Sequence, residues 1–206
     1  MKKLYSLALI LAAVVAVTAA VRTTCKTGSA RDADAKAEVA LGSVVPDFAL
    51  PDADGREHTL ASLKGPKGTV IIFMATKCPV SNAYNGRMQK LSEDYAPRGV
   101  NVVGVNSNVA ELAPEVKQHA AEKGLKFTIL KDKDNRIADR FDAQVTPEAY
   151  LLDASGKLVY HGRIDNSRSG DSITASELRD AIDAVLSGRA VEKQEAKAFG
   201  CSIKRG

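Results

Sequence analysis

The chain is short of every residue that most enzyme classes need in clusters. It has three histidines and three cysteines in 206 residues. His58, His119 and His161 are scattered, and none has metal-ligand spacing to another or to a cysteine. Cys25, Cys78 and Cys201 are an odd number, so at least one thiol lacks an intrachain partner. There is no Gly-x-Ser-x-Gly elbow and no zinc-protease His-Glu pair, which excludes those hydrolase types. No basic block points to nucleic acid, because acidic and basic residues are interspersed around a formal charge of +4. Gly65-Pro66-Lys67-Gly68-Thr69 lacks the spacing of a phosphate loop and precedes a strand, so it reads as a turn. No internal repeat or low-complexity tract appears, and no cofactor is called for. What remains is an ordinary globular composition, 45% hydrophobic and 26% charged. The length suits one domain with a sizeable core plus an appendage.

The appendage is N-terminal. Lys2-Lys3 is a positive start, Leu4 to Val21 is almost wholly apolar, and small residues around Thr18-Ala19-Ala20 end it. Residues 1–20 therefore read as an export signal or, at the short limit for spanning a bilayer, as an uncleaved anchor. Either places the chain in the periplasm or outside the cell, where thiols can be oxidised. Lipidation at Cys25 is disfavoured, since Arg22-Thr23-Thr24 does not resemble the Leu-small-small approach of lipoprotein signals. Residues 21–42 read as a linker, 43–190 as the folded domain and 191–206 as a polar tail carrying Cys201.

Within the domain, Phe48–Leu50 and Glu57–Leu60 flank Asp52-Ala53-Asp54-Gly55 and form a hairpin. Thr69–Met74 is a continuous apolar run, suited to a strand buried on both faces. Pro79 to Tyr95 reads as one helix with Met88 and Leu91 inward, and Pro79 fits its first position. Val100–Val105 is a strand, Pro114–Lys123 a helix ended by Gly124, Lys126–Leu130 a strand and Asn135–Phe141 a short helix. Glu148–Leu152 and Lys157–His161 form an antiparallel pair. The last helix has a capping box at Thr174 and Glu177, an apolar stripe through Leu178, Ile182, Val185 and Leu186, and a stop at Gly188. This order implies an α/β sandwich with a mixed central sheet.

Cys78 sits where the buried strand ends and the helix begins. Unpaired N–H groups and the partial positive charge of a helix start favour thiolate over thiol, as does adjacent Lys77. The plainer reading is a buried structural cysteine, common among free cysteines. Ser81 reads equally as a first-turn helix residue or as a hydroxyl partner of the sulfur. Tyr84 reads as core. Arg163 reads as a solvated strand-end residue, or as a group that steers an anion.

The order of elements, Cys78 at the strand-to-helix junction, Thr146-Pro147 before the next apolar strand and the terminal Gly200-Cys201-Ser202-Ile203-Lys204 together resemble the thioredoxin fold. Within that fold they resemble the peroxiredoxin-like redoxins of the alkyl hydroperoxide reductase and thiol-specific antioxidant superfamily, over roughly residues 43–206. The resemblance implies a three-layer sandwich with Cys78 as the attacking cysteine. It also implies a cis bond before Pro147, and a loop of Thr146 and Pro147, near Pro79, that presents backbone to substrate. The implied partners are protein or small-molecule thiols and disulfides, peroxide, and an external thiol reductant; a membrane enters only through an uncleaved N-terminus. Two departures stand out. Cys78-Pro79-Val80-Ser81 has serine where thioredoxins place a resolving cysteine, and serine cannot displace sulfur from a disulfide. The threonine of the peroxidase motif falls on Ala75, with Thr76 one residue out of place. Cys201 supplies the missing resolving thiol if the tail folds back within disulfide reach, and otherwise it is an inert tail residue under Ile203. The expected activity is exported thiol–disulfide exchange. The alternatives are a one-cysteine antioxidant peroxidase or a non-catalytic binding module. A copper carrier, with Cu(I) joining Cys78, Cys201 and a histidine, is the one metal reading that ligand softness allows.

Overall fold

The computed structural model describes residues 38–206. The export or anchor segment and Cys25 lie outside the described residues. The chain opens with β1 (Ala49–Pro51) and β2 (Glu57–Thr59), an antiparallel hairpin, followed by α1 (Leu60–Leu63). Then come β3 (Gly68–Phe73), α2 (Pro79–Ala83), α3 (Asn85–Tyr95), β4 (Val100–Asn106), α4 (Ala113–Lys123), β5 (Thr128–Lys131) and α5 (Arg136–Arg140). The second half adds β6 (Val145–Thr146), β7 (Glu148–Asp153), β8 (Leu158–Gly162), α6 (Glu177–Leu186), β9 (Glu195–Ala196) and β10 (Cys201–Ser202).

The main sheet has six strands in the order β5-β4-β3-β7-β8-β9. β3, β4 and β5 run parallel, while β7 is antiparallel to β3 and β8 antiparallel to β7. Every residue of β3 is buried, as its unbroken apolar run requires of a strand covered on both faces. Alternation along the strand then divides the core. Val70 and Ile72 pack beneath Met88, Leu91, Val116 and Ile182 on one side. Ile71 and Phe73 meet Phe48, Leu60, Ile137 and Phe141 on the other. The result is the mixed-sheet, three-layer sandwich expected.

Four boundaries differ from the sequence reading. Residues 39–42 belong to the folded unit, because Val39 is buried and donates to the Arg140 carbonyl at 2.9 Å, and Gly42 donates to Leu158 at 2.8 Å. The helix read across 79–95 is broken at Tyr84, whose N–H turns to the Ser81 carbonyl. The break is fixed by tertiary contacts: the Tyr84 hydroxyl donates to Asp165 at 3.0 Å, and the Arg87 guanidinium lies over its ring while also donating to Asp165. The capping box at Thr174 does not form. Thr174 is held instead by Asn166, and Glu177 turns to Arg163 and Lys193, so α6 starts at Glu177. Finally, the tail is structured: β9 adds to the main sheet beside β8, and β10 pairs antiparallel with β6.

Ile72 lies at the centre of the sheet with no exposed surface. Ile72→Ala should destabilise the fold by about 2–5 kcal/mol in urea unfolding. A loss below about 1 kcal/mol would contradict a packed two-faced core around β3.

Candidate active site

β3 delivers the chain into the loop 74–77, and α2 begins directly after Cys78, which is its N-cap residue. The Cys78 sulfur accepts from the Ser81 backbone N–H at 3.3 Å, the bond a capping side chain makes to the first helical turn. Because α2 has only five residues, its influence on the sulfur is that of this local N–H rather than of a long macrodipole. The Ser81 hydroxyl is not the partner expected of it: it accepts from Ala75 N at 3.0 Å and is fully buried. Ser81 thus reaches the sulfur through its backbone. Lys77 also points elsewhere, with its ammonium on Glu115 and the Ala110 carbonyl.

Thr146 and Pro147 lie against the sulfur. The Thr146–Pro147 bond is cis, and the Cys78 thiol donates to the Thr146 carbonyl at 3.4 Å. β10 then lays Cys201 opposite Thr146 in register, on the residue whose carbonyl the Cys78 thiol bonds. Both cysteines are free thiols. Burial pushes the Cys78 pKa up, since only 3% of the residue is exposed. The Ser81 N–H on the sulfur and the neighbouring Cys201 thiol outweigh that penalty, and the pKa is lowered from the ordinary thiol value. Cys201 is shifted the opposite way, by its hydrogen bond to Cys78, by burial and by the neighbouring sulfur's charge. One sulfur is poised to ionise and the other to hold the proton.

A buried carboxylate missed in the sequence reading fixes the loop that carries Cys78. Glu111 accepts from Thr76 N at 2.8 Å, Lys77 N at 3.0 Å, Asn106 Nδ2 at 2.5 Å and Asn108 Nδ2 at 3.0 Å. Asn108 also accepts from Lys204 N at 2.7 Å, so one polar cluster secures both the Cys78 loop and the segment after Cys201. The signal was available: Asn106, Ser107, Asn108 and Glu111 follow an apolar strand, and the carboxyl ends of strands are where α/β sites form.

The other residues considered have structural partners. His58 pairs with Asp52, His119 with Asn85 and His161 with Glu148. Among the described residues no cluster of three metal-ligating side chains exists, so no histidine joins the two sulfurs in a copper site. Arg163 is half-buried at the end of β8 and pairs with Glu177. Tyr84 is core, as read. Pro79 is exposed beside the sulfur. A cavity of about 520 Å³ lies between the hairpin and α5, and neither sulfur lines it.

A cysteine at a strand–helix junction facing a cis-proline loop, on this sheet, defines a redoxin of the thioredoxin fold. The chain belongs to the AhpC/TSA family, whose model matches residues 41–161. That span contains Cys78 and Pro147 and stops before Cys201. A thiol-disulfide oxidoreductase ResA of Geobacillus thermodenitrificans is 34% identical over 123 residues, 60% of this chain and 69% of the relative. A hypothetical protein of Sinorhizobium meliloti superposes with a TM-score of 0.76 at 35% identity, covering 82% of this chain and 96% of that one. A putative thioredoxin of Neisseria meningitidis gives 0.58 at 26% identity, covering 72% and 92%.

Two predictions follow from this geometry. Cys201 is a cause of the lowered Cys78 pKa, so Cys201→Ala should raise that pKa, read from the pH dependence of alkylation; an unchanged or lower value would contradict the role of Cys201. For Glu111, burial raises the pKa, but the four hydrogen bonds win and lower it beneath its ordinary 4.5. A depressed folded-state pKa contributes stability that is present above the unfolded value and fades as pH falls through the folded one. Glu111→Gln should therefore cost about 1–3 kcal/mol at pH 7. The gap between variant and wild type should narrow as urea unfolding is repeated below pH 4.5; a pH-independent gap would contradict the assignment.

Proposed function

We propose that the chain is a thiol–disulfide oxidoreductase in which Cys78 attacks and Cys201 resolves. The observation that carries this reading is the Cys78 sulfur, which accepts from the Ser81 N–H and bonds the Thr146 carbonyl of the cis-proline loop, with Cys201 paired opposite Thr146. The ResA relative's name supports the same activity.

The Cys78 thiolate attacks one sulfur of a substrate disulfide, forming a mixed disulfide and releasing the other sulfur as a thiolate. Cys201 then gives its proton to that leaving thiolate and attacks the Cys78 sulfur. A second substrate thiol departs, and a Cys78–Cys201 disulfide is left for an external thiol reductant to reopen. The hand-over follows from the charges. Two of the three causes that hold the Cys201 proton in place are the hydrogen bond to Cys78 and its charge. Both vanish once Cys78 is bonded to substrate, so Cys201 becomes easier to ionise when its turn comes. Exposed Pro79 borders the approach to the sulfur, while Thr146 and Pro147 are buried. The reading includes export, on the strength of Lys2-Lys3 and the apolar run to Val21. No helix among the described residues is long and apolar enough to cross a membrane.

Cys78→Ser should abolish dithiothreitol-driven reduction of oxidised glutathione above background. Cys201→Ser should keep the first attack, accumulate a mixed disulfide on Cys78, and turn over more slowly by about tenfold or more, because an intramolecular thiol is replaced by one from solution. Full turnover in Cys78→Ser would refute the proposal.

A further inference from the structure

We infer, resting on the exchange reading above, that the substrate is a small oxidised thiol rather than an extended polypeptide. An extended peptide binds beside a reactive group by adding its backbone to a free strand edge. The edge beside Cys78 is β6, and the chain's own β10 already pairs with it, Cys201 opposite Thr146 and Ser202 opposite Val145. Cys201 thereby occupies the backbone position beside Thr146 that a docked peptide would need.

The strand is secured on both sides. Upstream, β9 is part of the main sheet and Ala196 is buried. Downstream, Ile203 is buried in the core and donates to Gln144 O at 2.9 Å, while Val109 N donates to Lys204 O at 3.1 Å and Arg205 bonds Asp139 and the Ala143 carbonyl. Gly200 packs flat on the cis-proline loop, where a Cβ would lie 1.9 Å from Thr146 O. A peptide must displace this strand before it can pair. A small disulfide needs no backbone pairing, only end-on approach of one sulfur to Cys78, which suits a residue with 3% of its surface exposed.

The reaction balances within the protein and this substrate class: RSSR takes two electrons from Cys78 and Cys201, leaves as two RSH, and the protein gains one disulfide. The test uses the pre-reduced full chain, mixed with oxidised glutathione or with a linear decapeptide dimerised through one central cystine. The loss of two hydrogen atoms on forming Cys78–Cys201 is followed by mass spectrometry. Oxidised glutathione should react faster by about tenfold or more, the equivalent of the one or two hydrogen bonds a peptide must first open. Gly200→Ala, which lifts the strand from Thr146, should narrow that ratio, and Ile203→Ala should do so independently. Equal or faster oxidation by the peptide dimer would overturn the inference while leaving the exchange reading intact. No Cys78–Cys201 disulfide with either oxidant would overturn both.

Discussion

The β6–β10 pairing, which sets Cys201 opposite Thr146 while the Cys78 thiol bonds the Thr146 carbonyl, is the constraint on which the site depends. Each half is unremarkable alone: Cys78 is a buried cysteine, and Cys201 lies five residues from the end of the chain. Brought together, they share the work of one ionisation. A buried thiolate is costly because the interior solvates charge poorly. Here the Ser81 N–H and the neighbouring Cys201 thiol stand in for water around the sulfur. The folded chain holds ready the environment that the reactive form requires.

Much of the remaining architecture serves to hold those groups still. β3 is fixed by neighbours on both faces, which sets where the Cys78 loop starts. Glu111 then collects the two N–H groups that loop would otherwise leave unpaired, and Asn108 passes the same cluster on to Lys204. The Tyr84–Arg87–Asp165 contacts end α2 after little more than one turn and redirect the chain into α3. The short helix still supplies the single N–H that matters to the sulfur, from Ser81.

Periodicity made the sandwich legible. Val70 to Phe73 could only be a doubly covered strand, Gly124 and Gly188 stopped helices where expected, and Thr146-Pro147 marked the loop facing Cys78 through a resemblance rather than through pattern. The misreadings share a cause, which is tertiary contact overriding local preference. Thr174 and Glu177 have the spacing of a capping box, yet Asn166 and Arg163 offered them better partners. The helix break at Tyr84 rests on Asp165, eighty-one residues away. β9 and β10 are two residues each, too short to show alternation, so the tail looked merely polar. Ser81 was rightly placed next to the sulfur, but spacing could not say that its backbone, not its hydroxyl, would make the bond.

The most direct test of the account is a non-reducing peptide map of the full chain after mild oxidation. The account predicts one linked pair, the peptide of Cys78 joined to that of Cys201, with Cys25 outside it. Recovery of Cys201 as a free thiol beside an oxidised Cys78, or paired to Cys25, would contradict it.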